Sequence, residues 1–346
     1  MPKSQTNSVV ETFLGFSRQI ADSYREAKLL NLSKIKPKNL TSIVSCGMGG
    51  SNLHAELFLK VTEAELKLPL TLVRDYHLPK FAGSKTLAVI TSYSGTTEET
   101  INCLKEAKQR KCPVVVITTG GPLRDLAKKL KLPIYLMDAS LNPSNQPRYG
   151  VGLQVGALLG IFDKLGLYKI KEKDLAASLE KLTRLSQVLS LPADGNPAAI
   201  VARALAGKTV MIVGAQFLSA NAHILANQIN ESDKNLAFPF AIPELNHHLM
   251  EGLELPNAAK KTLHFLFLNS SLYEDIISRR IAVTQKVLRR QKIGYTNYFC
   301  SSCDPLASAL EALIFGSWVS YYLSLANKVN ATEIPWVNFF KAELKK

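Results

Sequence analysis

Runs of like charge are missing from this chain. Its 346 residues include 42 Lys and Arg against 28 Asp and Glu, a net charge of +14. Yet no four basic residues stand together, and no aromatic residues interleave with them. A nucleic-acid partner is therefore not expected; scattered positive charge suits the steering of small anions. Cysteine is scarce: Cys46, Cys103, Cys112, Cys300 and Cys303, an odd number that argues against a secreted disulfide framework. The Cys300-Ser-Ser-Cys303 spacing lacks a second pair and an adjacent His, so it completes no zinc site. It reads as incidental, with a redox role the more distant alternative. The opening MPKSQTNSVVETFLGF has no apolar signal-peptide core. Residues 306–325 are apolar but contain Glu311 and several serines, which favours a buried helix over a membrane span. A cytoplasmic protein with no membrane partner is expected. At 47% hydrophobic and 20% charged, the chain has a globular composition and the length for two cores.

What is present is an alternation. Residues 9–30 place Phe13, Ile20 and Tyr24 at helical spacing and predict one amphipathic helix. A short strand over 41–46 turns through Gly47-Met-Gly-Gly-Ser51 into a helix over 52–61. Strands follow over 70–74, 87–90, 114–117 and 134–137, and helices near 123–130, 150–165 and 174–189. Strands and helices in this order predict a parallel sheet covered on both faces. The breaker-rich residues 191–197 are the expected linker, dividing the chain into domains 1–190 and 191–346. Beyond it the pattern restarts, with strands over 208–214, 261–268 and 295–299 and helices over 220–230 and 274–290. This echo predicts two α/β domains of similar topology, of which only the first keeps anion-binding loops. Helices over 305–328 and 335–344 finish the chain.

Two loops carry chemistry. The strand ending at Ile90 runs into a helix through Thr91, Ser92, Ser94, Thr96 and Thr97. Unpaired N–H groups, the helix dipole and hydroxyls make such a turn an anion site. No basic residue lies inside it, so a phosphate monoester fits better than a polyphosphate with its metal. The plainer reading is a helix cap, with Ser94 or Thr96 as the capping residue. The Gly47–Ser51 turn invites a dinucleotide reading, but the fingerprint needs glycine where Asn52 stands, and no Walker motif is present. Gly49, Gly50 and Ser51 instead let the backbone approach a small polar ligand. Either loop alone could be a mere tight turn. Two of them at the carboxyl ends of neighbouring strands share one crevice. Further on, Glu231 ends a helix in a polar cluster, and His247 and His248 follow in a proline-bounded loop. Adjacent histidines point apart, so a metal site is thin there and an acid–base pair is more attractive. Pro239 and Pro243 predict an irregular or extended segment, long enough for His247 to serve its own subunit or a neighbour's.

These motifs together resemble the sugar isomerase (SIS) domain family, and within it the bifunctional phosphoglucose/phosphomannose isomerases. The resemblance rests on Gly47–Ser51, Ser92-Tyr-Ser-Gly-Thr-Thr97, Pro147-Arg148, Asn230-Glu231, Pro243-Glu-Leu-Asn-His247 and Lys341 in the last helix. It implies two SIS domains, each a flavodoxin-like three-layer α/β sandwich. It further implies interconversion of glucose 6-phosphate and fructose 6-phosphate through a cis-enediol, with mannose 6-phosphate as a third substrate and neither metal nor cofactor. By the same resemblance Ser92, Ser94 and Thr97, with Gly49, Gly50 and Ser51, hold phosphate and sugar. Glu231 is the base, Arg148 stabilises the enediolate, and His247 and Lys341 assist ring opening in a homodimer. A sugar-phosphate-binding regulator or another SIS isomerase are the alternatives. Thr96 stands where the family usually has Asn, and Asn330-Ala331-Thr332 where it tends to have Asp-Pro-Thr.

Overall fold

The computed structural model describes residues 3–191, 194–344 and 346, and for residues 3–6 the backbone alone. Pro192 and Ala193 of the expected linker lie outside the described residues. The helix expected over 9–30 is two helices, α1 (Lys3–Leu14) and α2 (Phe16–Leu29). Gly15 separates them at φ −82°, ψ 0°, and glycine inside a helix is about 1 kcal/mol poorer than alanine. The chain forms two compact units, Leu14–Arg184 and Leu185–Lys346 with Met1–Phe13. The division thus falls before the expected linker, and the N-terminal residues group with the second half. Hydrogen bonding shows why: Ser186 Oγ donates to Phe13 O (2.9 Å) and accepts from Trp318 Nε1 (3.0 Å).

The first unit continues with β1 (Ser42–Cys46), α3 (Gly50–Thr62), β2 (Leu70–Val73), β3 (Thr86–Ser92), α4 (Glu98–Gln109), β4 (Val114–Thr118), α5 (Gly121–Lys129) and β5 (Ile134–Leu136). Next come α6 (Val151–Leu165) and α7 (Glu172–Ser190), the helix inside which the division falls. The strands form one parallel sheet in the order β2-β1-β3-β4-β5. Every residue of β1, β3 and β4 is buried, as their unbroken apolar runs require of a sheet covered on both faces. Val44, Ala88, Ile90 and Val116 pack against Cys103, Leu104 and Ala107 of α4 and Leu123 and Ala127 of α5. The alternate residues, Ile43, Leu87 and Val89, turn to the face where α3 packs. On α6, Gly156 and Gly160 let α2 come close. A β-carbon at either would lie 2.4 Å from a carbonyl oxygen of α2.

The second unit holds α8 (Pro197–Leu205), β6 (Thr209–Ala215), α9 (Ser219–Gln228), β7 (Ala237–Ile242) and the short α10 (Leu245–His248) and α11 (Ala259–Thr262). After these come β8 (Leu263–Ser270), α12 (Asp275–Arg290), β9 (Gly294–Cys300), α13 (Pro305–Ala326) and α14 (Pro335–Glu343). Its parallel sheet runs β7-β6-β8-β9, the order of β2-β1-β3-β4 repeated. Residues 237–242, expected to be irregular or extended, form the edge strand β7, with Pro239 opposite Ile212. Proline cannot donate to a ladder, and at an edge it need not. Among the described residues α13 alone is long and apolar enough to cross a membrane. In that helix's most apolar window 83% of residues are buried, and it packs on α8 and α9, as expected of a core helix.

Candidate functional site

In the first unit, three segments bring the expected residues together. β1 and β3 lie side by side, Cys46 opposite Ile90, and the strand order reverses between them, which opens a crevice beyond their carboxyl ends. The turn after β1 closes only on glycine: a β-carbon at Gly47 would sit 2.5 Å from Ser51 O. Gly49 caps α3 at φ +48°. Gly50 faces the main chain of Arg148, with a β-carbon there 3.3 Å from Arg148 N. Ser51 Oγ accepts from Tyr93 N (3.0 Å), so it fastens the glycine turn to the serine loop. Asn52 is buried, accepts from Ser45 Oγ (3.0 Å) and donates to Val73 O (3.3 Å). Its place in the motif is therefore structural, tying α3 to β1 and β2.

The serine loop is built from its own hydroxyls. Buried Ser92 accepts from Gly95 N (3.1 Å) through Oγ, which also shares a hydrogen bond with Thr97 Oγ1 (2.9 Å). Ser94 and Thr96 are exposed, their hydroxyls paired at 2.8 Å. The cap of α4 is Thr97, not Ser94 or Thr96, and it makes no side-chain cap bond. The helix start therefore keeps N–H groups that an anion can fill. Gly95 has φ +70°, and a β-carbon there would lie 1.8 Å from Gly120 O. Tyr93 O accepts from Thr119 N (3.1 Å) and Thr119 Oγ1 (2.6 Å), which seats the loop on the turn after β4.

Arg148 stands in a single 3-10 turn, Pro147–Tyr149, and is 1% exposed. Its Nη1 donates to Gln146 Oε1 (2.9 Å), and its guanidinium lies 5.2 Å from the Tyr149 ring centroid. Asn142 Nδ2 donates to Tyr93 OH (2.8 Å) and Gln146 O (3.0 Å). Asn142 and Tyr93 join the Arg148 segment to the serine loop; Tyr93 sits within the serine motif but was given no role, and no motif marks Asn142. Behind the glycine turn, His54 of α3 is fully buried, 3.5 Å from Thr91 Oγ1. Burial pulls its pKa down to about 3, against a smaller opposing pull from the nearby Gln154 side chain.

The second unit repeats the turn without the site. A β-carbon at Gly214 would meet Leu218 O at 2.3 Å, and Gln216 takes φ +43°, matching Gly47 and Gly49. Here, however, Tyr273 fills the place beside the turn. Its hydroxyl donates to Leu268 O (2.9 Å) and accepts from Ala215 N (3.2 Å), with Phe217 5.4 Å away ring to ring.

This unit carries the other expected residues. α9 does not stop at Gln228 but widens into one π-helical turn, Ile229–Asp233, on which Glu231 is half-buried. Such turns recur at functional sites. Asn230 ties the turn to β7, donating to Ala237 O (2.8 Å) and accepting from Ala237 N (3.1 Å). Buried Asp233 accepts from Ser320 Oγ (2.9 Å). His247 and His248 are exposed on α10, which buried Leu245 and a bond from Asn246 Nδ2 to Thr284 Oγ1 (2.8 Å) hold in its own unit. Residues 231–247 are thus spent on a strand and a docked turn and form no free arm. Lys341 is exposed in the last turn of α14. Among the described residues no three His, Cys, Asp or Glu gather as metal ligands would. All five cysteines are free, Cys300 buried and Cys303 exposed.

Residues 194–344 match the bacterial phospho-glucose isomerase C-terminal SIS domain. A bifunctional phosphoglucose/phosphomannose isomerase of Caldicellulosiruptor bescii is 26% identical over 340 residues, 96% of this chain and 98% of that one. Its namesake in Aquifex aeolicus is 28% identical over 313 residues, 89% and 93% of the two chains. Among solved structures, a hypothetical protein of Thermus thermophilus is alike in fold, with a TM-score of 0.75 at 18% identity over 96% of this chain and 90% of its own. The resemblance drawn from the motifs therefore holds along most of the chain.

Proposed function

We propose that the protein is a cytoplasmic aldose–ketose isomerase of hexose 6-phosphates. It interconverts glucose 6-phosphate and mannose 6-phosphate with fructose 6-phosphate, in glycolysis and gluconeogenesis, as a homodimer. One observation carries the reading: the glycine turn, the serine loop and Arg148 converge at the β1–β3 switch point. Such a place suits one phosphate and a few hydroxyls, and the named relatives act on such substrates. Main-chain N–H groups of Gly49 and Gly50, the hydroxyls of Ser94 and Thr97, and the start of α4 hold the phosphorylated sugar, while Ser51 and Ser92 brace the two loops from within.

The chemistry asked of the second unit is proton transfer. Once His247 and Lys341 have helped the ring open, the Glu231 carboxylate takes the proton from C2 of the aldose. The C2–H electron pair becomes the C1=C2 bond, and O1 gains a proton to give the cis-enediol. Loss of the O2 proton forms the ketone as Glu231 returns its proton to C1. Arg148 offsets the negative charge of the enediolate, a kind of electrostatic stabilisation that ranks among the largest contributions in such sites.

The test is a coupled assay on the three hexose 6-phosphates, with and without chelator, for the natural enzyme and Glu231→Gln. The natural enzyme is expected to turn over all three, unaffected by chelator. Glu231→Gln is expected to lose roughly 10²–10⁴-fold or more in kcat while still binding a sugar-phosphate inhibitor. Binding without turnover by the natural protein would make it a regulator instead. Turnover of aminosugar or pentose phosphates alone would make it a different isomerase.

A further inference from the structure

The residue after the π turn is Lys234, and it holds the left-handed conformation (φ 51°, ψ 35°) usual for glycine at a helix end. This turns its side chain back beneath the turn it terminates. There Nζ donates to four main-chain carbonyls: Glu231 O at 3.0 Å, Ser232 O at 3.1 Å, Asn330 O at 2.6 Å and Glu333 O at 2.6 Å. An ammonium has three protons, so these contacts are shared, and each is charge-assisted. The first two carbonyls belong to the helix end, where the backbone lacks intrahelical donors and the dipole favours a cation. The other two belong to the segment that leads into α14. That segment is shaped by Asn330, whose Oδ1 accepts from Thr332 N (2.9 Å) and Thr332 Oγ1 (2.8 Å) and whose Nδ2 donates to Glu333 Oε1 (2.8 Å).

We propose that Lys234 is a positioning residue for catalysis, its ammonium fixing the main chain of Glu231 and joining it to the 330–333 segment from which α14 carries Lys341. This rests on the reading of Glu231 as the base. Lys234 acts through two other residues and touches no reacting atom. A catalytic carboxylate tolerates little drift, since a misplacement of about 1 Å can cost on the order of 10²-fold in rate. The four bonds converge on the main chain of the residue whose placement matters most.

The left-handed backbone supplies a clean test. Glycine adopts that conformation without strain, so Lys234→Gly removes the ammonium while leaving the turn's geometry satisfied. If Lys234 served only to end the helix, this variant would match or exceed the natural protein in Tm and in kcat. A positioning role predicts some loss in Tm as those bonds go, kcat lowered about 10–100-fold at a temperature where the variant stays folded, and KM for glucose 6-phosphate within about threefold. The deuterium isotope effect with substrate labelled at C2 should rise, because proton transfer has become the slow step. Lys234→Arg, which keeps a cationic donor, should recover most of the rate. Natural kcat and isotope effect in Lys234→Gly, with Glu231→Gln inactive alongside, overturn the positioning role and leave the base intact. An active Glu231→Gln overturns both.

Discussion

His54 is a histidine kept neutral by its surroundings. Its folded pKa of about 3 lies below the ordinary value of 6.5, with burial as the main cause. The unfolded chain therefore binds a proton that the folded one refuses between those values. Stability from this residue is complete above pH ~6.5 and declines as the pH falls toward 3, by about 1.4 kcal/mol per pH unit. Urea midpoints at pH 7 and pH 5 should show the loss, and His54→Gln should flatten it. Ser94 and Ser92 separate in a different way. Ser94 is exposed with its hydroxyl on Thr96, whereas buried Ser92 holds Gly95 and Thr97 in place. Ser94→Ala is expected to raise KM with little loss of turnover, since a hydrogen bond to charge is worth about 1.5–3 kcal/mol. Ser92→Ala should disturb both, and initial-rate kinetics on the pair would show the difference.

At the scale of elements, the serine loop stands or falls with Gly95. Any other residue meets a left-handed cost of about 1–2 kcal/mol, and its β-carbon also lands on Gly120 O. Gly95→Ala should therefore lower Tm and abolish turnover, which a thermal melt and an assay would show together. This loop could be read from the sequence because its physics is local: small and hydroxyl-bearing residues stood directly after an apolar strand. The same held for Gly47–Ser51 and for the repeated strands of the second unit. The π turn could not be read that way. Ile224, Leu225 and Ile229 satisfy a helix whether or not one turn widens, so composition leaves no trace of it. β7 was hidden by Pro239, whose effect on a strand depends on whether a neighbour lies on its far side. Asn142 and Lys234 also bind across long stretches of chain, to Tyr93 and to Asn330 and Glu333, and nothing next to them in sequence reveals those partners.

At the scale of the molecule, α14 stands out because every one of its residues is exposed. Trp336 is 80% and Phe340 61% exposed, with Phe339 and Val337 beside them. Large aromatic groups grouped on one short helix suit contact with a second copy. Sedimentation is expected to give twice 38.1 kDa, and Phe340→Asp to give the single-chain mass. A single-chain mass for the natural protein would remove the homodimer.

The buried helix α13 bears on how the molecule is made. Its residues 305–326 complete the core over α8 and α9, with Leu225 of α9 seated at Gly316. Synthesis reaches α9 long before α13 exists. At about 5–20 residues per second, the stretch between the two takes roughly 4–15 s to produce. For that interval the apolar sides of α8 and α9 stand uncovered on the ribosome, so a chaperone has most to hold late in translation. Nascent chains halted at residue 304 should carry more bound chaperone than chains in which α13 has been made and has left the ribosome. Slow codons between the two helices would lengthen that exposure, and fast ones would shorten it.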